Sequence, residues 1–353
     1  MKNRYKASDL FLVIVFAILL FIPCILFLNT LNNYKLPESE NGPQQHTFSA
    51  TVKKYENLLS DSLTLKTELI RSYYYVKTKI LKEISITPSV IQGTEEWLYY
   101  SGSGDGYPIE SFTGQQILAD TSLLKIKLNL EAQERWLRKR NIDFYIIMCP
   151  NKQTIYSEFF PYKKGITVAD QIMSYLKSNS NLKIIDLRET MIKAKDNKHL
   201  LYYKADSHWN QYGGFIAYTE IINQLSLVYP ELKPLQLKDY NISFKETEGG
   251  DLAKMVNLQK DFKDHEYDFD LKDTTTLPKK NIVMFHDSYY WLIKPFLANH
   301  FILTERPHQW NSFDYNVIDE VKPEIVFYEV VERYLTAFSR ENPAEIKDTL
   351  INK

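Results

Sequence analysis

The sequence predicts an α/β fold in which a parallel sheet is sandwiched between helices and preceded by one N-terminal transmembrane helix. From residue 123 onward, segments with helical spacing alternate with short apolar runs rich in β-forming residues. This alternation is typical of a parallel sheet covered by helices on both faces. Near the amino terminus, one apolar run is about 20 residues long, the length needed to cross a bilayer.

The apolar run covers residues 10–28 and is interrupted only by Pro23. Three basic residues precede it and only Lys35 follows within the next segment, so the positive-inside rule places the amino terminus in the cytoplasm. The far end lacks the small residues of a signal-peptide cleavage site. We therefore predict a cytoplasmic tail at residues 1–8, a retained single-pass anchor at 9–31, and an extracellular or periplasmic location for the rest.

Beyond the anchor, composition and periodicity predict four further parts. Residues 32–47 are polar and turn-rich, as in a linker, and apolar residues then recur at helical intervals. We predict a helical stalk that packs on the domain at 48–90, the main domain at 91–340 and a C-terminal tail at 341–353.

Charge and cysteine content exclude some partners and stabilising elements. Lysine plus arginine number 43 against 44 acidic residues, so the chain has no general positive field for nucleic acid. Cys24 lies in the apolar run and Cys149 in a predicted buried strand, so no disulfide is expected between them.

The alternation in the main domain defines individual elements. Helical spacing covers residues 123–140, 168–177 and 215–227, and strand-like runs cover 142–148, 182–187, 281–285 and 323–331. Polar residues 233–278 predict an insertion or a lid. Functional residues of such sheets lie where strands end and loops begin.

Three residues in two segments carry the candidate chemistry. In Asp206-Ser207-His208, a carboxylate two residues before a histidine can hold the ring through Nδ1 and leave Nε2 free as a base. Ser288 follows a predicted strand at the turn into a helix. A serine needs such a base to act as a nucleophile. We predict Ser288, His208 and Asp206 as a catalytic triad.

An oxyanion formed at Ser288 needs hydrogen-bond donors. The Ser288 backbone N–H is one candidate, and Trp209 is placed to shield the imidazole from water. The candidate side chains for oxyanion or substrate contacts are Asn151, Lys152, Asn210, Trp209, Arg333 and Tyr289.

A metal site is the alternative chemistry for these segments. Asp206, His208, His286 and Asp287 form a ligand set that Zn²⁺ or Mn²⁺ accepts. That interpretation leaves Ser288 without a role, so we predict no metal. His286 is also open to interpretation as a packed or capping side chain.

Several segments, in order, resemble the alginate O-acetyltransferase family, whose SGNH-like domains are also called DHHW proteins. The resemblance spans residues 63–335. The matching segments are Gly93-Thr94-Glu95-Glu96-Trp97-Leu98-Tyr99-Tyr100, Pro150-Asn151-Lys152, Ile155-Tyr156-Ser157-Glu158, Asp206-Ser207-His208-Trp209-Asn210, Gly250-Asp251-Leu252-Ala253, Asp287-Ser288-Tyr289 and Val331-Glu332-Arg333-Tyr334.

This resemblance implies an SGNH-hydrolase-like, flavodoxin-like fold and an extracytoplasmic O-acetyltransferase. It gives Ser288 the acetyl group, His208 the role of base and Asp206 that of its orienting acid. It implies a polysaccharide acceptor, an acetyl donor delivered by a multipass membrane O-acyltransferase, and no cofactor. Two alternatives stay open: a polysaccharide acetylesterase with the same triad, and a non-catalytic polysaccharide-binding scaffold.

Overall fold

The structure is a computed structural model. The chain forms two compact units, Met1–Val76 and Lys77–Lys353. Besides scattered helical positions between 11 and 25, the described residues are 64–102, 104–196, 198–273, 279–307 and 313–340. Helix α1, Thr64–Tyr75, belongs to the first unit. Within the described residues, no helix combines the length and apolar character needed to cross a membrane. Most of the predicted anchor and linker lies outside the described residues.

A five-stranded parallel sheet forms the centre of the second unit. Its strands run in the order β5-β4-β10-β8-β9. They are β4 (Asp143–Cys149), β5 (Ile184–Asp186), β8 (Lys280–His286), β9 (Phe301–Pro307) and β10 (Ile325–Val331). The predicted α/β fold with a parallel sheet is confirmed.

Helices and short 3₁₀ segments connect these strands. The α-helices are α2 (Pro108–Thr113), α3 (Asp120–Arg138), α4 (Lys152–Ile155), α5 (Val168–Asn179), α6 (Arg188–Ala194), α7 (Gln211–Ser226), α8 (Asp251–Met255), α9 (Lys294–Leu297) and α10 (Tyr315–Val321). The 3₁₀ segments are Ser157–Phe159, Leu237–Asp239, Gln259–Asp261, Ser288–Leu292 and Glu332–Ser339. Val76–Ile80 is a π-helical segment.

Hydrophobic cores cover both faces of the sheet. Successive strand residues point to opposite faces, so alternate residues of β4 enter different cores: Phe144, Ile146 and Met148 on one side, and Tyr145, Ile147 and Cys149 on the other. Helices α3, α5 and α10 supply the first core, and α7 with α9 supplies the second. Burial on both faces explains why residues 144–149 of β4 form a continuous apolar run in the sequence.

Two smaller antiparallel sheets were not predicted. Strands β1 (Ser85–Thr87), β2 (Val90–Gln92) and β3 (Leu98–Tyr100) form one. The other is a long hairpin of β6 (Tyr240–Glu248) and β7 (Lys263–Leu271), which lies in the segment predicted as an insertion or lid. We call it the β6–β7 hairpin.

Candidate active site

The candidate residues after the strands lie at one edge of the sheet. Strand β10 is central, with β4 and β8 as its neighbours. Asn151 follows β4, Ser288 follows β8 and Arg333 follows β10. Because the strands are parallel, all three loops leave the sheet at its carboxyl edge, as expected for functional residues of this architecture.

The side chains of Ser288, His208 and Asp206 form a continuous hydrogen-bonded chain. The Ser288 hydroxyl lies 2.8 Å from His208 Nε2, and His208 Nδ1 lies 2.7 Å from Asp206 Oδ1. With Nδ1–H donated to the carboxylate, Nε2 is the acceptor for the serine proton. Ser288 is exposed, so a substrate can reach the hydroxyl. The arrangement has the geometry of a nucleophile, a base and an orienting acid.

Asp206 is held as a carboxylate by its neighbours. Burial raises its pKa, but hydrogen bonding to His208 and the charge of His208 outweigh burial and lower the pKa to about 2. Its Oδ1 also accepts the His208 backbone N–H at 2.9 Å, and its Oδ2 accepts the Asp251 N–H at 2.8 Å. The acid therefore stays ionised and fixed in orientation over the physiological pH range.

The loop that carries Asp206 and His208 is tied to the rest of the domain. An antiparallel bridge between Tyr202 and Trp209 closes it. The Lys152 ammonium donates to the carbonyls of Tyr203, Lys204 and Asp206 at 3.1, 3.0 and 2.6 Å. Burial lowers the pKa of Lys152 to about 8, although nearby carboxylates raise it. The loop is thus bound by one buried cation from the α4 segment.

A close backbone approach brings the two loops together. Helix α7, which begins just after His208, packs its Gly214 against the carbonyl of Leu292, in the 3₁₀ segment that begins at Ser288. A Cβ at position 214 would lie 2.2 Å from that oxygen. Only glycine permits this contact, which places the histidine loop beside the serine turn.

Asp287 fixes the turn that presents Ser288. Its Oδ1 accepts the Tyr289 N–H at 2.9 Å, and its Oδ2 accepts the Val331 N–H at 2.7 Å. The Asp287 N–H donates to the buried Glu329 at 2.8 Å, and the Cys149 thiol donates to the same carboxyl at 3.0 Å. Burial raises the pKa of Glu329 well above its ordinary value, and the charge of Asp287 raises it further. Burial therefore favours the neutral form of this acid beneath the turn.

Four of the six predicted oxyanion or substrate residues use their polar groups inside the protein. Lys152 binds the loop carbonyls. Asn210 caps α7, accepting from Gly213 and donating to Leu200. Trp209 Nε1 donates to the Tyr289 carbonyl at 3.0 Å. The Tyr289 hydroxyl donates to the Ser207 carbonyl at 2.8 Å. The last two contacts join the serine and histidine segments to each other.

The remaining two candidates are Arg333 and Asn151. Like Lys152 and Tyr289, both line a small cleft, which also includes Ser207, the neighbour of His208. Arg333 Nη1 lies 3.4 Å from Asn151 Oδ1. Arg333 Nε is buried and has no hydrogen-bond partner among the described residues. This side chain retains an N–H donor beside the triad.

Comparison with known proteins gives the family. A family model described as the SGNH hydrolase-like domain of the acetyltransferase AlgX matches residues 90–288. The match covers more than half of the 353-residue chain. The chain belongs to this family. The resemblance to the alginate O-acetyltransferases is thereby confirmed. No curated protein matches the chain.

Solved structures share the fold of this SGNH-like acetyltransferase family member. Bacillus cereus PatB1 aligns at a TM-score of 0.53 and 15% identity, covering 70% of this chain and 98% of that chain. PatB1 with a sulfonyl adduct aligns at 0.52 and 15%, covering 72% and 100%. The O-acetyltransferase domain of Pseudomonas putida AlgJ aligns at 0.49 and 17%, covering 76% and 100%. At 15% identity the likeness to PatB1 is one of fold.

One residue of the SGNH-like domain that sequence reasoning gave no role is Asp251, the first residue of α8. Its carboxylate accepts the Ser207 N–H at 2.7 Å and the Ser207 hydroxyl at 2.5 Å, and its Oδ2 lies 3.8 Å from His208 Nδ1. The preceding Gly250 allows this approach, since a Cβ there would lie 2.1 Å from Asp206 Oδ2. The sequence signal for Asp251 was the Gly250-Asp251 segment, which resembles the alginate O-acetyltransferase family.

The structure does not gather the four residues of the metal alternative. In the described parts of the chain, the cluster of three acidic or histidine side chains with ligand atoms within 4.8 Å is Asp206, His208 and Asp251. His286 instead places Nδ1 2.9 Å from the Asp287 carbonyl and packs its ring 4.3 Å from that of Tyr290. The oxygens and Nδ1 of the cluster already serve the triad hydrogen bonds.

Proposed function

We propose that the protein is an extracytoplasmic O-acetyltransferase that moves an acetyl group through a Ser288 acyl-enzyme onto hydroxyls of a cell-surface or secreted polysaccharide. The observation that carries the proposal is the imidazole of His208, which bridges Ser288 and Asp206 at 2.8 and 2.7 Å. Membership of the SGNH hydrolase-like acetyltransferase family supports the same reaction class.

In the first half-reaction, Ser288 Oγ attacks the acetyl carbonyl carbon of the donor and its proton passes to His208 Nε2. The bond from the acetyl carbon to the leaving group then breaks, and the leaving group takes the proton from His208. Asp206 stabilises the imidazolium between these steps. The product is an ester of Ser288.

In the second half-reaction, a sugar hydroxyl attacks the Ser288 ester while His208 accepts its proton. Cleavage of the ester bond releases the O-acetylated sugar, and His208 returns the proton to Ser288 Oγ. Transfer outruns hydrolysis if the acceptor is bound beside the ester, because a bound hydroxyl has a high effective concentration.

The charge that develops on the acetyl oxygen requires donors. We assign the Ser288 backbone N–H as one donor and Arg333, with the neighbouring Asn151, as the source of the second. The assignment follows from their position in the cleft beside Ser207 and Tyr289 and from the free Arg333 Nε–H. Lys152 and Asn210 are left as positioning residues because their donors are bound to carbonyls.

We further propose that residues 9–31 anchor the domain to the membrane, where a multipass O-acyltransferase delivers the acetyl group. The apolar run and the charge bias around it support this location. Loss of the protein from the membrane fraction on deletion of residues 1–31 is expected, whereas an unchanged distribution contradicts the anchor.

The test of the reaction compares acetyl transfer with hydrolysis. The purified protein is given an activated acetyl ester with and without a panel of neutral, amino and uronic oligosaccharides, and acetylated sugar is measured by mass spectrometry. We expect acetylated sugar with at least one acceptor class. Release of acetate alone identifies an esterase, and sugar binding without labelling of Ser288 by a sulfonyl fluoride identifies a scaffold.

A further inference from the structure

A larger cleft lies between the β6–β7 hairpin and the segment that follows Ser288. Its volume is about 530 Å³, within the range of small-molecule sites. Tyr240, Phe244 and Glu266 line it from the hairpin, and Leu292 and Phe296 line it from the opposite side. None of the residues predicted from sequence lies in it, so its role is separate from the assignments made above.

The cleft is close to the nucleophile. Leu292 ends the 3₁₀ segment that begins at Ser288, and at about 2 Å rise per residue four residues of such a helix span about 8 Å. Gln211 also lines the cleft and begins α7, three residues after His208. Each of the two segments that hold the candidate triad therefore contributes one residue to the cleft wall.

The lining combines apolar rings with hydrogen-bonding groups. Phe244 is 67% exposed on the hairpin surface, so its ring is accessible to a ligand in the cleft. The ring of Tyr240 also lines the cleft but is only 5% exposed. The hydrogen-bonding groups of the lining include the side chains of Ser243, Glu266 and Asp268. A sugar has both an apolar C–H face and hydroxyls that match such a lining.

The charges of the cleft select among sugars. Lys245 is paired with Glu266 at 3.0 Å, and Gln211 Nε2 donates to Glu266 at 3.3 Å. Asp268 also lines the cleft, is exposed, and has no ion-pair partner in the described part of the chain. The lining thus carries a surplus negative charge, which disfavours an anionic uronate and suits a neutral or amino sugar.

We propose that this cleft binds neutral or amino-sugar units of the acceptor and presents the neighbouring unit's hydroxyl to the Ser288 ester. The inference rests on the proposed transferase function and adds the acceptor class. The hairpin then contributes acceptor recognition, while the sheet edge contributes the chemistry. Substitutions in the cleft should change transfer without changing reaction of Ser288 with a small ester.

The test measures two activities on the same variants: hydrolysis of p-nitrophenyl acetate, and acetyl transfer from it to a neutral N-acetylglucosamine hexamer. We expect Phe244→Ala to raise the acceptor KM by about tenfold and to leave ester hydrolysis within twofold of wild type. The control is Ile242→Ala, an exposed residue of the same strand that does not line the cleft.

An acceptor KM that is equal in Phe244→Ala and Ile242→Ala overturns the proposal. A separate variant tests the role of charge. Asp268→Lys should improve acetyl transfer to a uronic acid hexamer several-fold and weaken acetyl transfer to a glucosamine hexamer. Wild-type preference for the uronic hexamer also overturns the proposed class.

A binding measurement distinguishes failure of the cleft assignment from failure of the proposed transferase function. Titration of the N-acetylglucosamine and glucosamine hexamers into wild type and Phe244→Ala, followed by NMR, measures the cleft without catalysis. If no sugar is ever acetylated but a hexamer binds wild type and not Phe244→Ala, the transferase proposal fails and the cleft assignment stands. If transfer occurs and neither hexamer distinguishes the two proteins, the cleft assignment fails alone.

Discussion

The central sheet and the β6–β7 hairpin are built from opposite kinds of sequence. All seven residues of β10 are buried, whereas Tyr240 is the one buried residue of β6. Burial of apolar surface at about 25 cal/mol per Å² holds the sheet in one conformation. The hairpin presents polar and aromatic side chains to solvent. The edge of the central sheet is therefore suited to positioning reacting atoms, and the surface of the β6–β7 hairpin is suited to recognising a substrate.

The largest effect should come from the triad. We expect Ser288→Ala and His208→Ala each to lower the rate of acetyl transfer by about 10⁴- to 10⁶-fold, because each removes a group on which the other depends. The double variant should be no slower than either single one, as measured by single-turnover assays. Ser226→Ala, at the end of α7, is the control. Effects that multiply in the double variant contradict a joint role.

Asp251 links the two regions, since it is on the segment between the hairpin strands and binds Ser207. We expect Asp251→Ala to lower kcat by about 10- to 100-fold through misplacement of His208 and to leave the acceptor KM unchanged. Asp270→Ala, an exposed residue of β7, should leave both constants at wild-type values. A rise in acceptor KM with constant kcat would assign Asp251 to acceptor binding instead.

Substitutions of Glu329 test how much the sheet stabilises the turn that presents Ser288. Since burial raises the pKa of this acid and favours its neutral form, Glu329→Gln should change the free energy of unfolding by less than about 1 kcal/mol. Glu329→Ala leaves the Asp287 N–H and the Cys149 thiol without their acceptor and creates a cavity, at a cost of about 2–4 kcal/mol. Urea denaturation measures both. Equal losses in the two variants are inconsistent with a neutral acid.

The pH dependence of stability should reflect Asp206. Its pKa falls from 3.8 in the unfolded chain to about 2 in the fold, so the ionised form stabilises the fold by about 2 kcal/mol. The unfolded state binds more protons in this window, so the contribution is complete above about pH 5 and is lost as the pH falls toward 2. The stability difference between wild type and Asp206→Asn should shrink by that amount. A difference that is constant from pH 6 to pH 2 contradicts the ion pair.

The same contrast explains how much of the fold was predictable from sequence. Strands β4, β8 and β10 are mostly apolar because both faces are buried, with Glu329 as the one charged residue inside β10, and their predicted positions agree with the structure within two residues. Edge strand β9 was missed because Thr304, Glu305 and Arg306 interrupt its apolar pattern. Strands β1 to β3 are three residues each, too short for a periodic pattern.

The sequence predicted those site residues whose side-chain type and local spacing indicate their chemistry. Asp206, His208 and Ser288 were predicted because an acid, a base and a hydroxyl follow strand ends or share a short loop. Asp251 and Glu329 were not, because their partners lie 44 and 42 residues away in the chain. Their roles depend on tertiary contacts that no local spacing records.

The central claim is that Ser288 accepts the acetyl group from its donor. The most direct measurement is intact-protein and peptide mass spectrometry after rapid mixing with an activated acetyl ester and acid quenching. We expect one added acetyl group on Ser288, which is lost on addition of an acceptor sugar together with the appearance of acetylated sugar. Two results would contradict the account. One is an acetyl group on another residue, and the other is turnover without any acetylated Ser288 in both wild type and Asp251→Ala.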